Sequence, residues 1–223
     1  HLPEDVLTFL ASDHNALRKR VNDRISDIVG YFKGTVAEWD VLNEPVDKNT
    51  MRSVLGDEEV IQWFRKVKEI DPDAILYIND YKMKGLNAAD DEALITFIEK
   101  MVELDVPFDA VGLETHYASP TDPMVLYNGI ERIGKLGKRV KITEFDFDTY
   151  DEEVQGKFTR DIMIMAYSNP YVDGFVMWGF WDGSHHKSNA PVFRKDWSIK
   201  PSGQYYIDLV TKEWCTDETV TTD

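Results

Sequence analysis

Residues 36–45 read Val-Ala-Glu-Trp-Asp-Val-Leu-Asn-Glu-Pro, and a related phrase, Lys141-Ile142-Thr143-Glu144-Phe145-Asp146, returns later in the chain. In both, a short apolar run of strand composition stops at a glutamate. Around them one pattern repeats: an apolar run, a polar turn, then about a dozen residues with apolar positions at helical spacing. The predicted strands are Val36–Leu42, Ala74–Ile78, Ala110–Leu113, Val140–Phe145 and Phe175–Trp178. Stripes such as Val60, Trp63, Phe64 and Val67, or Leu94, Phe97, Ile98 and Met101, mark the helices between them, each behind an acidic opening that suits a helix N-terminus. One helix, Ser12–Phe32, precedes the first strand. Others are expected around Met124–Leu136, from Val154 to Met165, and near Gly203–Val210. Five strands, each followed by a helix, describe an α/β chain of (β/α)8 TIM-barrel type with only about five βα units present, the N-terminal strands missing. The expected boundaries are 1–215 for this partial barrel and 216–223 for a polar, frayed tail.

Composition narrows the function. The chain has 223 residues, with 25 Lys plus Arg against 41 Asp plus Glu and a formal net charge of −16. Phosphate backbones repel so acidic a protein, so nucleic acid is not expected as a partner. No apolar run approaches the roughly 20 residues that cross a bilayer, so no membrane partner is expected, and His1 opens the sequence with no signal-like segment. A single cysteine, Cys215, allows neither an internal disulfide nor a cysteine-based zinc cage. With 43% apolar and 12% aromatic residues the chain can build a full core.

In such folds polar residues at the C-terminal strand ends converge on one face. Here they are Asn43 and Glu44; Asn79, Asp80 and Tyr81; Glu114, His116 and Tyr117; Glu144 and Asp146; and Trp178, Trp181 and Asp182. A ring of carboxylates, amides, an imidazole and indoles, with no lysine among them, suits a neutral polyhydroxylated ligand and two-carboxylate acid–base chemistry. Singly, His116 reads as a satisfied core imidazole, and for Glu44 in Asn-Glu-Pro a helix cap is the lesser alternative to a carboxylate at the barrel mouth. Two strand-terminal glutamates that can face each other across a barrel mouth are far more specific than either. His185 and His186 are adjacent and rarely chelate one ion, so they read as a loop pair hydrogen-bonding sugar, and neither metal nor cofactor is expected. The run Asp146, Asp148, Asp151, Glu152, Glu153 lacks the central glycine and the spaced glutamate of a calcium loop, and reads as a solvated loop and helix start.

On Trp39–Pro45, Asn79–Tyr81, Gly112–His116, Ile142–Asp146, and Trp178-Gly179 with Asp182, in that order, the chain resembles the C-terminal part of the catalytic domain of a glycoside hydrolase family 10 endo-β-1,4-xylanase. The likeness spans about Arg18 to Leu209. It implies a (β/α)8 barrel, endo-hydrolysis of β-1,4-xylan with retention of configuration, Glu44 as acid/base and Glu144 as nucleophile. It further implies that Asn43 holds the sugar 2-hydroxyl, that His116 hydrogen-bonds the nucleophile, that Trp178 floors the cleavage subsite, and that the protein is secreted, periplasmic or at the cell surface. Asp146 is a supporting residue, and Asn79, Tyr81, Glu114, Tyr117, Trp181, His185 and His186 complete the expected substrate-binding set. Xylan or xylo-oligosaccharides are the implied partners.

The chain departs from the family in three places. Glu114 stands where a glutamine is usual, adding a third carboxylate; His186 stands where many members carry a second tryptophan; and the first three strands have no counterpart. Two rival readings follow: a family 5-type β-glucanase, and a non-catalytic half-barrel remnant that binds glycan or a complementing chain. Because an open arc leaves two strand edges beside an interior face expected to be apolar, self-association or a complementing N-terminal barrel segment is also expected.

Overall fold

The computed structural model describes residues 2–216, 219 and 221, so most of the tail expected to fray lies outside the described residues. The chain opens with two helices rather than one: α1 (Glu4–Ser12) and α2 (His14–Phe32). Asp13 separates them. Its backbone is extended, at φ −147° and ψ 90°, and its carboxylate accepts from the Asn15 and Ala16 N–H groups, which starts α2 afresh. The strands are β1 (Glu38–Asn43), β2 (Ile75–Asp80), β3 (Ala110–Leu113), the two-residue β4 (His116–Tyr117), β5 (Arg139–Phe147) and β6 (Val172–Met177). Between them run α3 (Thr50–Leu55), α4 (Asp57–Ile70), α5 (Ala88–Glu103), α6 (Pro123–Lys135) and α7 (Glu152–Ser168); α8 (Pro201–Asp208) follows a long loop after β6.

All pairings are parallel, in the order β1-β2-β3-β5-β6, with β4 beside the C-terminal end of β5. This is a partial (β/α)8 barrel: an arc of five long strands with helices on its outer side. The outward side chains Leu76, Ile78, Val111, Leu113, Val140 and Ile142 are fully buried against those helices. The inner face corrects the sequence-based expectation of an apolar interior. Glu38, Asp40, Tyr77, Lys141, Thr143 and Val176 line an inner cavity of about 200 Å³, and the Lys141 ammonium on β5 pairs with the Glu38 carboxylate on β1 across the arc. Among the described residues β1 pairs only with β2, and β6 only with β5, so each has a free outer edge. No helix is long and apolar enough to cross a membrane.

The loop joining β6 to α8 carries candidate site residues, and the buried Gln155 is one of the side chains that hold it. The Gln155 amide on α7 donates to the carbonyls of Phe147 (2.8 Å), Asn189 (2.7 Å) and Ala190 (3.1 Å), and accepts from the Ser202 hydroxyl on α8 (3.1 Å). In the acidic run, Asp151 caps α7 and Glu152 pairs with Arg194, so these carboxylates serve the helix start and the loop. Replacing Gln155 by Leu takes this donor from the Phe147 and Ala190 carbonyls, while Lys200 still donates to Asn189 at 3.0 Å. The variant is expected to lose about 2–4 kcal/mol of stability in urea denaturation; an unchanged midpoint would show that the loop is anchored elsewhere.

Candidate active site

Each strand delivers its polar residues to the same end of the arc. At β1 the chain leaves the sheet through Glu44, whose backbone is left-handed (φ 49°); Thr115, between Glu114 and His116, is left-handed as well (φ 56°). Such conformations cost energy in non-glycine residues, and here they turn the chain so that Glu44 and His116 reach the cleft. Glu44, Tyr81, Glu114, His116, Glu144, Trp178 and His186 line one open cleft of about 530 Å³, and two residues not foreseen there, Lys48 and Lys84, line it with them. Both lysines come from the loops just beyond the strand ends, so the expectation of a lysine-free ring is corrected.

The centre is the buried amide of Asn79 on β2. Its Nδ2 lies 2.8 Å from Asn43 Oδ1 and 3.2 Å from both Glu114 Oε1 and Glu144 Oε1, while its Oδ1 accepts from the Thr143 hydroxyl at 2.6 Å. Gly112 on β3 makes this possible, because a β-carbon there would lie 2.2 Å from Asn79 Oδ1. Asn79 is fully buried and so reaches a substrate only through the side chains it holds, which replaces its expected place as a direct binding residue.

His116 sits among three carboxylates. Its Nε2 is 3.4 Å from Glu114 Oε2 and 3.4 Å from Glu144 Oε2, and its Nδ1 is 3.1 Å from Asp146 Oδ1. Burial opposes its charge, but Asp146, Glu114 and Glu144 outweigh burial and push its pKa up to about 10, so the ring is an imidazolium at neutral pH. Glu114 points inward and is 2% exposed; burial raises its pKa, His116 opposes this, and the charges of Glu144 and Glu44 raise it further. Asp146 is held below the usual range: burial works against its charge, and the His116 ring and the Lys187 ammonium, 2.9 Å away, prevail.

The other expected residues divide between cleft and scaffold. Trp178 is 44% exposed and meets the His116 ring edge-on at 6.3 Å. Tyr81 faces the cleft and donates to Asp47. Tyr117 does not reach the cleft: it is buried, and its hydroxyl donates to the Lys84 carbonyl at 3.0 Å. His185 also turns inward, with Nε2 2.6 Å from the Trp178 carbonyl and Nδ1 accepting from the Lys187 N–H at 3.0 Å. It clamps the loop. His186 stays exposed and faces His116, ring centroids 6.2 Å apart. Trp181 stacks on Trp197 at 5.0 Å, and its indole donates to the Lys195 carbonyl. Asp146, His185 and His186 are close enough to suggest an ion, but both His185 nitrogens face backbone groups and Lys187 already neutralises Asp146. This donor set does not fit a metal.

Because the folded-state pKa of His116 lies above that of free imidazole, its ion pairs contribute fully below about pH 6.5 and are lost as pH rises through about 10. The His116 ring resonance is therefore expected not to titrate between pH 5 and 8 by NMR. Glu114→Gln removes one of the three carboxylates and is expected to lower the His116 midpoint and move the basic limb of the pH–rate curve with it. An unmoved midpoint would mean that water screens Glu114.

Comparison with known proteins agrees with the fold. A model described as glycosyl hydrolase family 10 matches residues 2–207. The anti-sigma-I factor RsgI6 of Acetivibrio thermocellus is 32% identical over 213 residues, which cover 95% of this chain and 27% of that protein. Native xylanase 10B from Thermotoga maritima is 29% identical with a TM-score of 0.80, over 89% of this chain and 67% of that one. Xylanase 10B from Thermotoga petrophila, solved with xylobiose, is 29% identical with a TM-score of 0.77, over 86% and 65%. The chain thus spans about a quarter of the curated relative's length and about two thirds of each solved chain. Because the family model matches residues 2–207 of the 223 in this chain, the chain belongs to glycosyl hydrolase family 10.

Proposed function

We propose that this chain carries the catalytic pair of a retaining endo-1,4-β-xylanase acting on xylan or xylo-oligosaccharides, with Glu44 as acid/base and Glu144 as nucleophile. The observation that carries the reading is that these two glutamates, Glu44 just past β1 and Glu144 within the C-terminal half of β5, line one cleft with the exposed face of Trp178. In a retaining reaction Glu144 attacks the anomeric carbon while Glu44 gives its proton to the departing glycosidic oxygen. Water, deprotonated by Glu44, then hydrolyses the glycosyl ester, and the sugar keeps its configuration. The remaining residues suit these steps. The His116 imidazolium and the Asn79 amide both lie within 3.4 Å of Glu144 oxygens and fix its direction. The Asn43 amide oxygen already accepts from Asn79, which leaves its N–H groups for a sugar hydroxyl. Lys48 pairs with a Glu44 oxygen in the empty cleft, and the glycosidic oxygen of a bound substrate takes its place. As polymeric xylan does not cross membranes, the proposed place of action is outside the cytoplasm.

Two observations favour a second reading, a half-barrel that binds glycan without turnover. One is the pair of free strand edges; the other is the likeness to a protein named as an anti-sigma factor rather than as an enzyme. Covered edges are part of either proposal: an additional barrel segment or a second copy pairs with β1 and β6 in the working protein. Light scattering and reducing-sugar release on the isolated chain separate the readings. Self-association with little xylan hydrolysis is expected, and a fully active, well-folded monomer would overturn the need for a complement.

In an active assembly Glu144→Ala is expected to abolish xylan cleavage, with azide restoring some turnover and giving inverted product. Glu44→Ala is expected to slow xylan cleavage by about 10²–10⁴-fold while sparing the first step on substrates with good leaving groups. Near wild-type hydrolysis by both variants would sink the assignment.

A further inference from the structure

The cleft contains a cation that the proposed reaction does not use. Of its two lysines, Lys48 pairs with Glu44, but Lys84 has no carboxylate oxygen within 4 Å among the described residues. Its ammonium lies 5.6 Å from the centre of the Tyr81 ring, and its side chain is half-buried. Neighbouring Lys82, by contrast, is held by both Asp47 (2.8 Å) and Asp90 (2.9 Å).

The backbone that carries Lys84 is fixed on both sides. Its N–H and that of Gly85 donate to Asp91 Oδ1 at 2.9 and 3.1 Å, its carbonyl accepts from the buried Tyr117 hydroxyl, and Met83 before it is buried. A fixed turn therefore presents one ammonium to the cleft without a counter-ion, in a protein whose net charge is −16. Burial, and then the like charge of Lys187, lower the Lys84 pKa, and the more distant charges of Asp90 and Glu114 oppose this without reversing it. Neutral sugar hydroxyls need no such charge, since amides, Tyr81 and Trp178 can meet them. A partly buried, unpaired cation is costly unless an anion completes it.

We propose that Lys84 is a specificity-determining residue that binds the carboxylate of a uronic-acid branch on the xylan chain. This rests on the reading of the cleft as a xylan site and adds a substrate class to it: acid-branched rather than plain xylan. The contact is a charge-assisted hydrogen bond from the Lys84 ammonium to the sugar carboxylate, made at the loop between β2 and α5, so the branch lies on the side of the cleft where Tyr81 stands.

The test measures binding of the full chain by calorimetry to three probes: linear xylohexaose, xylohexaose with one glucuronic-acid branch, and that branched sugar with its carboxyl reduced to an alcohol. The wild type is expected to bind the acidic branched sugar about 5–10-fold more tightly than its reduced form at low salt, with the ratio shrinking as salt is added. Lys84→Gln is expected to bring this ratio close to one, and Lys84→Arg to keep most of it. Because each ratio compares two ligands on the same variant, loss of folding is seen as loss of both. A wild-type ratio near one with the linear sugar bound, or a ratio that survives Lys84→Gln, overturns this inference alone. A wild type that binds none of the three overturns the xylan-cleft reading together with it.

Discussion

The site depends on one buried amide. Asn79 Nδ2 has two hydrogens and faces three acceptors, Asn43, Glu114 and Glu144, which come from β1, the end of β3 and β5. Its oxygen is fixed by Thr143, and a glycine on the adjacent strand clears the space it fills. The amide cannot satisfy all three acceptors fully at once, so each carboxylate keeps lone pairs for another donor. For Glu114 and Glu144 that donor is His116. The strand register therefore does more than align the sheet: it sets how two carboxylates share an amide and an imidazolium.

Electrostatics explains how the third carboxylate is tolerated. Glu114, Glu144 and Asp146 surround His116, with Lys187 on the far side of Asp146. Three negative charges in a half-buried pocket would strongly favour protonation of one of them. With His116 charged and Lys187 paired, the cluster carries about one net negative charge when all three are ionised. Burial and the charges of Glu144 and Glu44 raise the Glu114 pKa against the pull of His116. Asp80, one step back on β2, is a separate case: its carboxylate accepts from the Val46 and Lys82 N–H groups, yet burial still pushes it up to about 6. It ties the β1 and β2 loops together in either protonation state.

Much of this was legible in the sequence because strand ends are marked twice, by the apolar run and by the polar residue that stops it. That is why Asn43, Glu44, Glu114, His116, Glu144 and Trp178 emerge as one group before any coordinates. Direction and depth were not legible. A strand places alternate residues on opposite faces, but whether a polar one meets ligand or protein depends on neighbouring strands; hence Asn79 and Tyr117 read as ligand contacts and are buried. The left-handed turn at Thr115 leaves no periodic signal, so β4 was missed. The helix expected at Ser12–Phe32 starts within two residues of α2, but the short α1 (Glu4–Ser12) ahead of Asp13 was not expected. Lys48 and Lys84 escaped because a rule about strand ends says nothing of residues four further along a loop.

The inner face of the arc changes the argument about what the open sheet requires. If its walls were aliphatic, solvent exposure would itself be the main penalty, and any apolar surface would relieve it. Glu38, Tyr77, Lys141 and Thr143 are instead amphipathic or charged, and the Lys141–Glu38 pair spans β5 to β1. Water can meet these groups at modest cost. What water meets less well is the outer edge of β6, whose flanks are apolar: Val172 and Phe175 together with Met163, Tyr206 and Trp214 border a groove of about 400 Å³ along it. In the proposed assembly, then, backbone pairing along the edges and cover for that groove matter more than filling the barrel, and a completing strand would be selected by its hydrogen-bonding edge and apolar outer face more than by what it points into the lumen.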